Sequence, residues 1–163
     1  AVLLILGGYA VYQSVLNNPV TTGIEIGNAA PDCEIQLLSG ETVKLSSFKG
    51  KKVIVNFWAT WCGPCQAEMP EMQEFHEEQG NETVILAVNM TTTEKNIDNV
   101  KKYISEKELT FPVLLDETNN VSTSYEVYSI PTSYYIDSEG IIRFKYIGAM
   151  SLDMMKSETK KLN

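Results

Sequence analysis

The chain is poor in cysteine, histidine and positive charge. Its 163 residues include three cysteines and one histidine, and 13 basic residues against 21 acidic ones give a formal net charge of -8. Three cysteines are too few for a small secreted scaffold held by several disulfides. A structural zinc site needs four ligands, and the three cysteines and the single histidine are not spaced for one. The negative charge would repel phosphate groups. We therefore expect no nucleic-acid partner, no metal and no cofactor.

Long hydrophobic runs are also scarce, and the most apolar stretch is at the N-terminus. Residues 1–16 carry no charge and are rich in Leu, Val and Ile. A complete membrane-spanning helix needs ~20 apolar residues, so we interpret 1–16 as part of a transmembrane or signal-anchor helix. An apolar arm that packs on the domain is the alternative. Residues 17–28 are rich in turn formers and are predicted to be a linker, followed by one domain over residues 29–163.

Apolar runs that alternate with helical segments predict an α/β fold with a mixed central sheet. Lys52–Ala59 and Thr83–Met90 are almost continuously apolar, as in strands buried on both faces of a sheet. A helix is predicted after each of them, the second over Lys95–Lys107 with a capping region at Thr91–Glu94. Two hairpins are predicted, one of Cys33–Leu38 with Thr42–Leu45 and one of Ser133–Asp137 with Ile141–Gly148. A short strand is predicted over Val113–Asp116 and a short helix over Thr118–Tyr125. Ser151 is predicted to cap a last helix.

The motif Cys62-Gly63-Pro64-Cys65 lies where the first buried strand is predicted to end and a helix to begin. A helix N-terminus stabilises an anion, and the thiolate is the reactive form of cysteine. Cys62 is therefore the predicted nucleophile. Cys65 lies three residues later on the same helix face and is the predicted resolving thiol. A static disulfide is the alternative, but closing so short a loop stabilises a fold little.

Two segments resemble the active site of thioredoxins. Phe57–Cys65 reads FWATWCGPC, and Ile130-Pro131-Thr132 is similar to the loop that carries the cis-proline of that family. The resemblance implies a thioredoxin fold in which this loop faces the two cysteines and pairs with the substrate backbone. The residues that it implies for substrate binding are Trp61, Gly63, Pro64, Ile130, Pro131 in the cis form, and Thr132.

The N-terminal hairpin, an extra central βα unit and the apolar N-terminus occur together in one branch of that superfamily. From about Ala29 onward the chain resembles the membrane-tethered, extracytoplasmic oxidoreductases of the TlpA/ResA type. Such proteins reduce disulfides in apo-cytochrome c or other exported proteins, and a membrane thiol carrier recharges them. The resemblance implies the same partners and a bacterial, membrane-anchored location. No dimerisation domain is visible, so we expect a monomer.

Three positions refine this interpretation. Asn56 stands where thioredoxin has a buried Asp that helps the resolving cysteine lose its proton, and Asn does not titrate. Glu68, three residues beyond Cys65, matches a glutamate of the ResA branch, and we predict that it accepts the Cys65 proton with a raised pKa. A solvated helix glutamate is the alternative. Gly63 replaces the Glu of cytochrome-directed members, which favours a general reductant.

Other functions remain open at this point. A disulfide-forming oxidant would use the same cysteine pair in the opposite direction, although the Gly-Pro spacer resembles that of reductants. A thiol peroxidase of this fold usually has its cysteine in a Thr-x-x-Cys context with a partner arginine, and neither is evident around Cys62. The third cysteine, Cys33, is predicted to be a small buried apolar side chain.

Overall fold

A mixed sheet organises residues 20–162, the part of the chain that the computed structural model describes. Its strands are β1 (Glu34–Leu37), β2 (Thr42–Lys44), β3 (Lys52–Trp58), β4 (Thr83–Asn89), β5 (Val113–Leu115), β6 (Thr132–Ile136) and β7 (Ile142–Ile147). The helices are α1 (Gly63–Gln79), α2 (Ile97–Glu106), α3 (Asn120–Ser124) and α4 (Leu152–Lys160), with short 3-10 helices at Leu45–Phe48 and Thr91–Thr93. The seven strands lie in the order β2-β1-β5-β4-β3-β6-β7.

The central position of β3 follows from its sequence. Every residue of the strand after Lys52 is buried, as predicted from the apolar run. β4 lies beside it in parallel and β6 on its other side antiparallel. Side chains alternate between the two faces of a strand, so β3 contributes to an apolar core on each side. Its C-terminal end leads directly into the cysteine motif.

The helices divide unequally between the two faces of the sheet. On the first face α1, α2 and α4 pack over Ile54 and Trp58 of β3. On the second face α3 and the segment that follows β2 pack over Val53, Val55 and Phe57. The long helix α1 is therefore held by the core of the first face. Its buried residues are Cys65, Glu68, Met69, Met72 and Phe75.

The stretch between β4 and β6 contains the predicted extra unit. β5 pairs in parallel with β4 and antiparallel with β1, which joins the N-terminal hairpin to the sheet. The expected α/β thioredoxin fold with both additions is confirmed. The predicted cap of α2 at Thr91–Glu94 is wrong, because the helix begins later. Asn96 caps it by accepting a hydrogen bond from the Asn99 N–H at 2.9 Å.

The described part of the N-terminal segment is hydrogen-bonded to the start of β7. The N–H of Gly27 donates to Ile142, and Ala29 forms a β-bridge with Ile141. The predicted linker, 17–28, is described from residue 20 onward. The predicted anchor, 1–16, lies outside the described residues. Within residues 20–162, no helix combines the length and the apolar character needed to cross a bilayer.

Candidate active site

Cys62 and Cys65 are joined by a disulfide at the point where β3 gives way to α1. Cys62 is the N-cap residue of α1, and its Sγ accepts a hydrogen bond from the backbone N–H of Cys65 at 3.2 Å. Pro64 lies in the first turn, where a missing N–H leaves no helical hydrogen bond unmade. The Cys62 sulfur therefore lies at the positive end of the helix, where a thiolate is stabilised.

The two sulfurs differ in access. Cys62 retains 5% of its surface, whereas Cys65 is fully buried. Gly63 and Pro64, between them, are exposed. An incoming sulfur can therefore approach the disulfide only from the side of Cys62.

The loop before β6 lies against the disulfide. The Ile130–Pro131 peptide bond is cis, and the Ile130 carbonyl oxygen lies 3.8 Å from Cys62 Sγ. The Pro131 carbonyl accepts a hydrogen bond from the Gly148 N–H at 2.9 Å. Thr132 is buried, and its hydroxyl donates to the Ser129 carbonyl. The loop thus presents Ile130 beside the sulfur, while the Thr132 side chain is already engaged.

Glu68 lies on α1 one turn after Cys65 and is 1% exposed. Its Oε1 accepts a hydrogen bond from Asn56 Nδ2 and its Oε2 accepts one from the Met150 N–H, each at 2.8 Å. Burial raises the pKa of Glu68 to about 7, although both hydrogen bonds act to lower it. The structure places this carboxyl in the interior, and the expected rise in its pKa is present.

Asn56 lies on β3 below the cysteine motif and links Glu68 to β6. Besides Glu68, its Nδ2 donates to Ser133 Oγ at 3.0 Å. Within the described residues its Oδ1 is buried without a hydrogen-bond partner. The position that thioredoxin uses for an acid therefore holds an amide that orients the carboxyl of Glu68 instead.

A second carboxylate, which no sequence pattern predicts, fixes the loop before the motif. Glu94 accepts hydrogen bonds from the backbone N–H of Thr60 at 2.7 Å, from the Thr60 hydroxyl and from Asn89 Nδ2. Next to it, Trp61 Nε1 donates to Thr93 Oγ1 at 3.2 Å. Glu94 is 34 positions away from Thr60, and its local pattern indicated only a helix cap.

Two further residues bear on the alternative functions. The one arginine of the sequence, Arg143, forms an ion pair with Asp137 at 2.6 Å. Asp137 follows the C-terminal end of β6, whereas Pro131 precedes its N-terminal end. Arg143 therefore does not face Cys62. Cys33 is half-buried at the edge of the second core, and burial raises the pKa of its thiol. A raised pKa lowers the thiolate fraction and hence the reactivity of this cysteine. Among residues 20–162, no cluster of His, Cys, Asp and Glu could hold a metal ion.

The sequence relatives agree with this geometry. Residues 26–145 match the AhpC/TSA family. The chain is 39% identical over 159 residues to the thioredoxin-like protein YneN of Bacillus subtilis, covering 96% of this chain and 92% of the relative. It is 40% identical over 162 residues to the thiol-disulfide oxidoreductase ResA of Oceanobacillus iheyensis, covering 96% and 83%.

A solved structure agrees as well. The pneumococcal exposed lipoprotein thioredoxin Etrx1 of Streptococcus pneumoniae superposes with a TM-score of 0.72 at 33% identity, covering 81% of this chain and 100% of that chain. Both the sequence and the fold thus connect this cysteine pair with proteins of thioredoxin type. The chain belongs to the AhpC/TSA family and, within it, to the ResA-type proteins of thioredoxin fold.

Proposed function

We propose that this chain is a thiol-disulfide oxidoreductase that reduces disulfide bonds in exported proteins. The observation that carries the proposal is the Cys62–Cys65 disulfide at the N-terminus of α1, with the sulfur of Cys62 facing the cis-proline loop. Two relatives, 40% and 34% identical to the chain, are named thiol-disulfide oxidoreductases. The reduced cysteine pair supplies the two electrons of the reaction.

In the first step the Cys62 thiolate attacks one sulfur of the substrate disulfide. A bond forms between Cys62 Sγ and that sulfur, and the second substrate sulfur leaves as a thiolate that takes up a proton. In the second step the Cys65 thiolate attacks Cys62 Sγ. This step forms the Cys62–Cys65 disulfide and releases the first substrate sulfur as a thiol. The substrate gains two electrons, and the cysteine pair loses them.

Glu68 is the group that takes the proton from Cys65. Side chains three residues apart on a helix are neighbours, and both residues are buried, so water is not at hand for this role. A pKa of about 7 lets the carboxyl accept and return a proton near neutral pH. Asn56 and the Met150 N–H hold the carboxyl in place without titrating.

Substrates bind across the exposed side of the disulfide. Gly63 and Pro64 leave room for an approaching chain, and Trp61 supplies an exposed aromatic surface, 58% of which is accessible. On the other side, an extended substrate backbone runs along Ile130, Pro131 and Thr132. This substrate contact is inferred from the position of the loop beside Cys62 and from the similarity to thioredoxins.

The oxidised protein needs a dithiol donor, and we place that donor in the membrane. The proposed setting is the outer face of a bacterial membrane, with residues 1–16 as the anchor and the chain acting as a monomer. The name of Etrx1, an exposed lipoprotein, supports a location outside the cytoplasm. Disulfide-containing exported proteins, apo-cytochrome c among them, are the substrates. Gly63 favours a range of substrates over cytochrome c alone.

Trapping of the mixed disulfide tests the assigned roles. In Cys65→Ser the second step is blocked, so the reduced variant should form a stable covalent complex with a disulfide-containing protein such as insulin. Cys62→Ser should form none, because the buried Cys65 cannot reach a substrate. Cys33→Ser is the matched control and should turn over as the parent does. Non-reducing gel electrophoresis and mass spectrometry give the readout, and a complex formed through Cys65 in Cys62→Ser would refute the assignment.

A further inference from the structure

An open groove lies between the turn that follows β4 and the short helix α3. Its volume is about 310 Å³. One wall is the 3-10 helix after β4, and the other is α3 with the loop that follows it. Met90 and Thr93 line the first wall, and Asn119, Glu126, Val127 and Tyr128 line the second.

Each wall of the groove is connected to a residue that adjoins the reactive sulfur of Cys62. On one side Thr93 accepts the hydrogen bond from the indole of Trp61, the residue before Cys62. On the other side Tyr128 lies two residues before Ile130, whose carbonyl is in contact with Cys62 Sγ. The groove therefore adjoins the redox site through Trp61 on one wall and through the segment before Ile130 on the other, and a peptide bound at Cys62 could reach it.

The two walls are also joined to each other. The Thr92 hydroxyl of one wall donates to Asn119 Oδ1 of the other wall at 2.5 Å. Within the second wall, the Ser122 hydroxyl donates to the Asn119 carbonyl at 3.2 Å. Asn119 adopts a left-handed backbone conformation, with φ of 59°, which asparagine tolerates better than most residues. A groove whose walls are already connected loses less conformational entropy when a ligand binds.

The chemistry of the lining points to one kind of side chain. Glu126 is the only charged residue among those that line the groove, and it has no ion-pair partner within residues 20–162. Tyr128 is 91% exposed, more than any other large apolar side chain of the described residues. Met90 and Val127 add apolar surface. A groove that combines one carboxylate, an exposed aromatic ring and apolar side chains suits a cation on an aliphatic stem.

We propose that this groove binds a lysine or arginine side chain of the protein substrate, close to the substrate cysteine that Cys62 attacks. The proposal rests on the proposed reductase function and specifies its substrates. The aliphatic stem lies against Met90 and Val127, and the cationic group lies between the ring of Tyr128 and the carboxylate of Glu126. Substrates with basic residues around their disulfide are then reduced faster than acidic ones.

The test uses capped peptides with one cysteine joined through a disulfide to a neutral fluorescent thiol. The residues on both sides of the cysteine are arginine, norleucine or glutamate, and kcat/KM is measured with a dithiol regenerating the protein. We expect arginine to exceed norleucine about three-fold, and norleucine to exceed glutamate. Glu126→Gln should remove the advantage of arginine over norleucine. Tyr128→Ala should lower kcat/KM of the arginine peptide about three-fold, and Tyr128→Phe should retain it.

Because the whole chain is acidic, a matched variant separates local contact from overall charge. Glu108, like Glu126, is an exposed glutamate with positive φ, but it does not line the groove. Glu108→Gln removes the same charge and should leave the preference for arginine unchanged. Equal effects of Glu108→Gln and Glu126→Gln, or a preference for norleucine over arginine, would overturn the groove assignment. Failure of the parent protein to reduce even bis(2-hydroxyethyl) disulfide would overturn the reductase function itself.

Discussion

At the scale of single residues, Glu68 shows how burial tunes an ordinary side chain. The carboxyl accepts two hydrogen bonds, which lower its pKa. The loss of hydration on burial has the larger effect and raises the pKa to about 7. If Glu68 accepts the proton of Cys65, the rate of the second exchange step should rise as pH increases through about 7, where the carboxylate forms. Stopped-flow measurement of Trp fluorescence in single turnovers gives that rate.

Glu68→Gln is the corresponding variant for the proton-transfer role. In this variant the rate of the second exchange step should show no inflection near pH 7. It should still rise with pH because the cysteines ionise. The isosteric amide keeps the size of the side chain, so the fold is retained for the comparison. An unchanged pH profile in Glu68→Gln would show that the proton goes elsewhere.

The same pKa has a consequence for the stability of the oxidised protein. A carboxyl whose pKa is raised from 4.5 to about 7 binds its proton more tightly in the folded protein than in the unfolded chain. The contribution of Glu68 to the free energy of unfolding is complete below about pH 4.5. It is lost as pH rises through about 7, and the loss is roughly 3 kcal/mol. Urea unfolding at pH 4.5 and pH 8 should show this loss in the parent and not in Glu68→Gln. A parallel pH dependence in both proteins would contradict the buried-carboxyl account.

At the scale of elements, Glu94 ties the loop between β3 and α1 to the turn after β4. Its removal leaves the Thr60 N–H and Asn89 Nδ2 without their acceptor. Because Glu94 is partly exposed, water replaces part of the loss. Glu94→Ala should therefore reduce the free energy of unfolding by about 1–2 kcal/mol, measured by urea denaturation.

Glu94→Gln gives the matched comparison for this contact. One amide oxygen remains to accept a hydrogen bond from Thr60, so the loss of stability should be smaller than in Glu94→Ala. The exchange rate should fall further in Glu94→Ala than in Glu94→Gln, since the loop that precedes Cys62 is then less fixed. Equal stability of both variants and the parent would show that the contact does not hold the loop.

The elements themselves could be predicted because their signals are local. The apolar run of β3, the Cys62–Cys65 motif and the alternating pattern of the β6–β7 hairpin each lie within a few residues of the structure that they specify. The contacts of Glu94 with Thr60 and of Glu68 with Met150 join residues far apart in the chain. They depend on the packed arrangement of the elements, which no local pattern contains. The Thr and Glu pattern at 91–94 wrongly predicts the cap of α2, because Thr91–Thr93 forms its own short 3-10 helix and Asn96 caps α2.

At the scale of the whole molecule, the sheet gathers the site from segments far apart in sequence. The motif after β3, the turn after β4 and the loop before β6 meet because these strands are neighbours in the sheet. The 3-10 helix after β4 and α3 with its following loop form a groove near that meeting point. The fold class followed from the sequence, whereas the groove did not, because its walls come from two separate segments.

The reduction potential of the Cys62–Cys65 pair distinguishes a disulfide reductase from a disulfide-forming oxidant. The protein is equilibrated in dithiothreitol or glutathione buffers, and the fluorescence of Trp61, next to Cys62, reports the redox state. A disulfide reductase predicts a value of roughly -270 mV or lower, at which the dithiol form gives up its electrons readily. A value near roughly -120 mV would mean a stabilised dithiol and a disulfide-donating oxidant, and would contradict the proposed direction of electron flow.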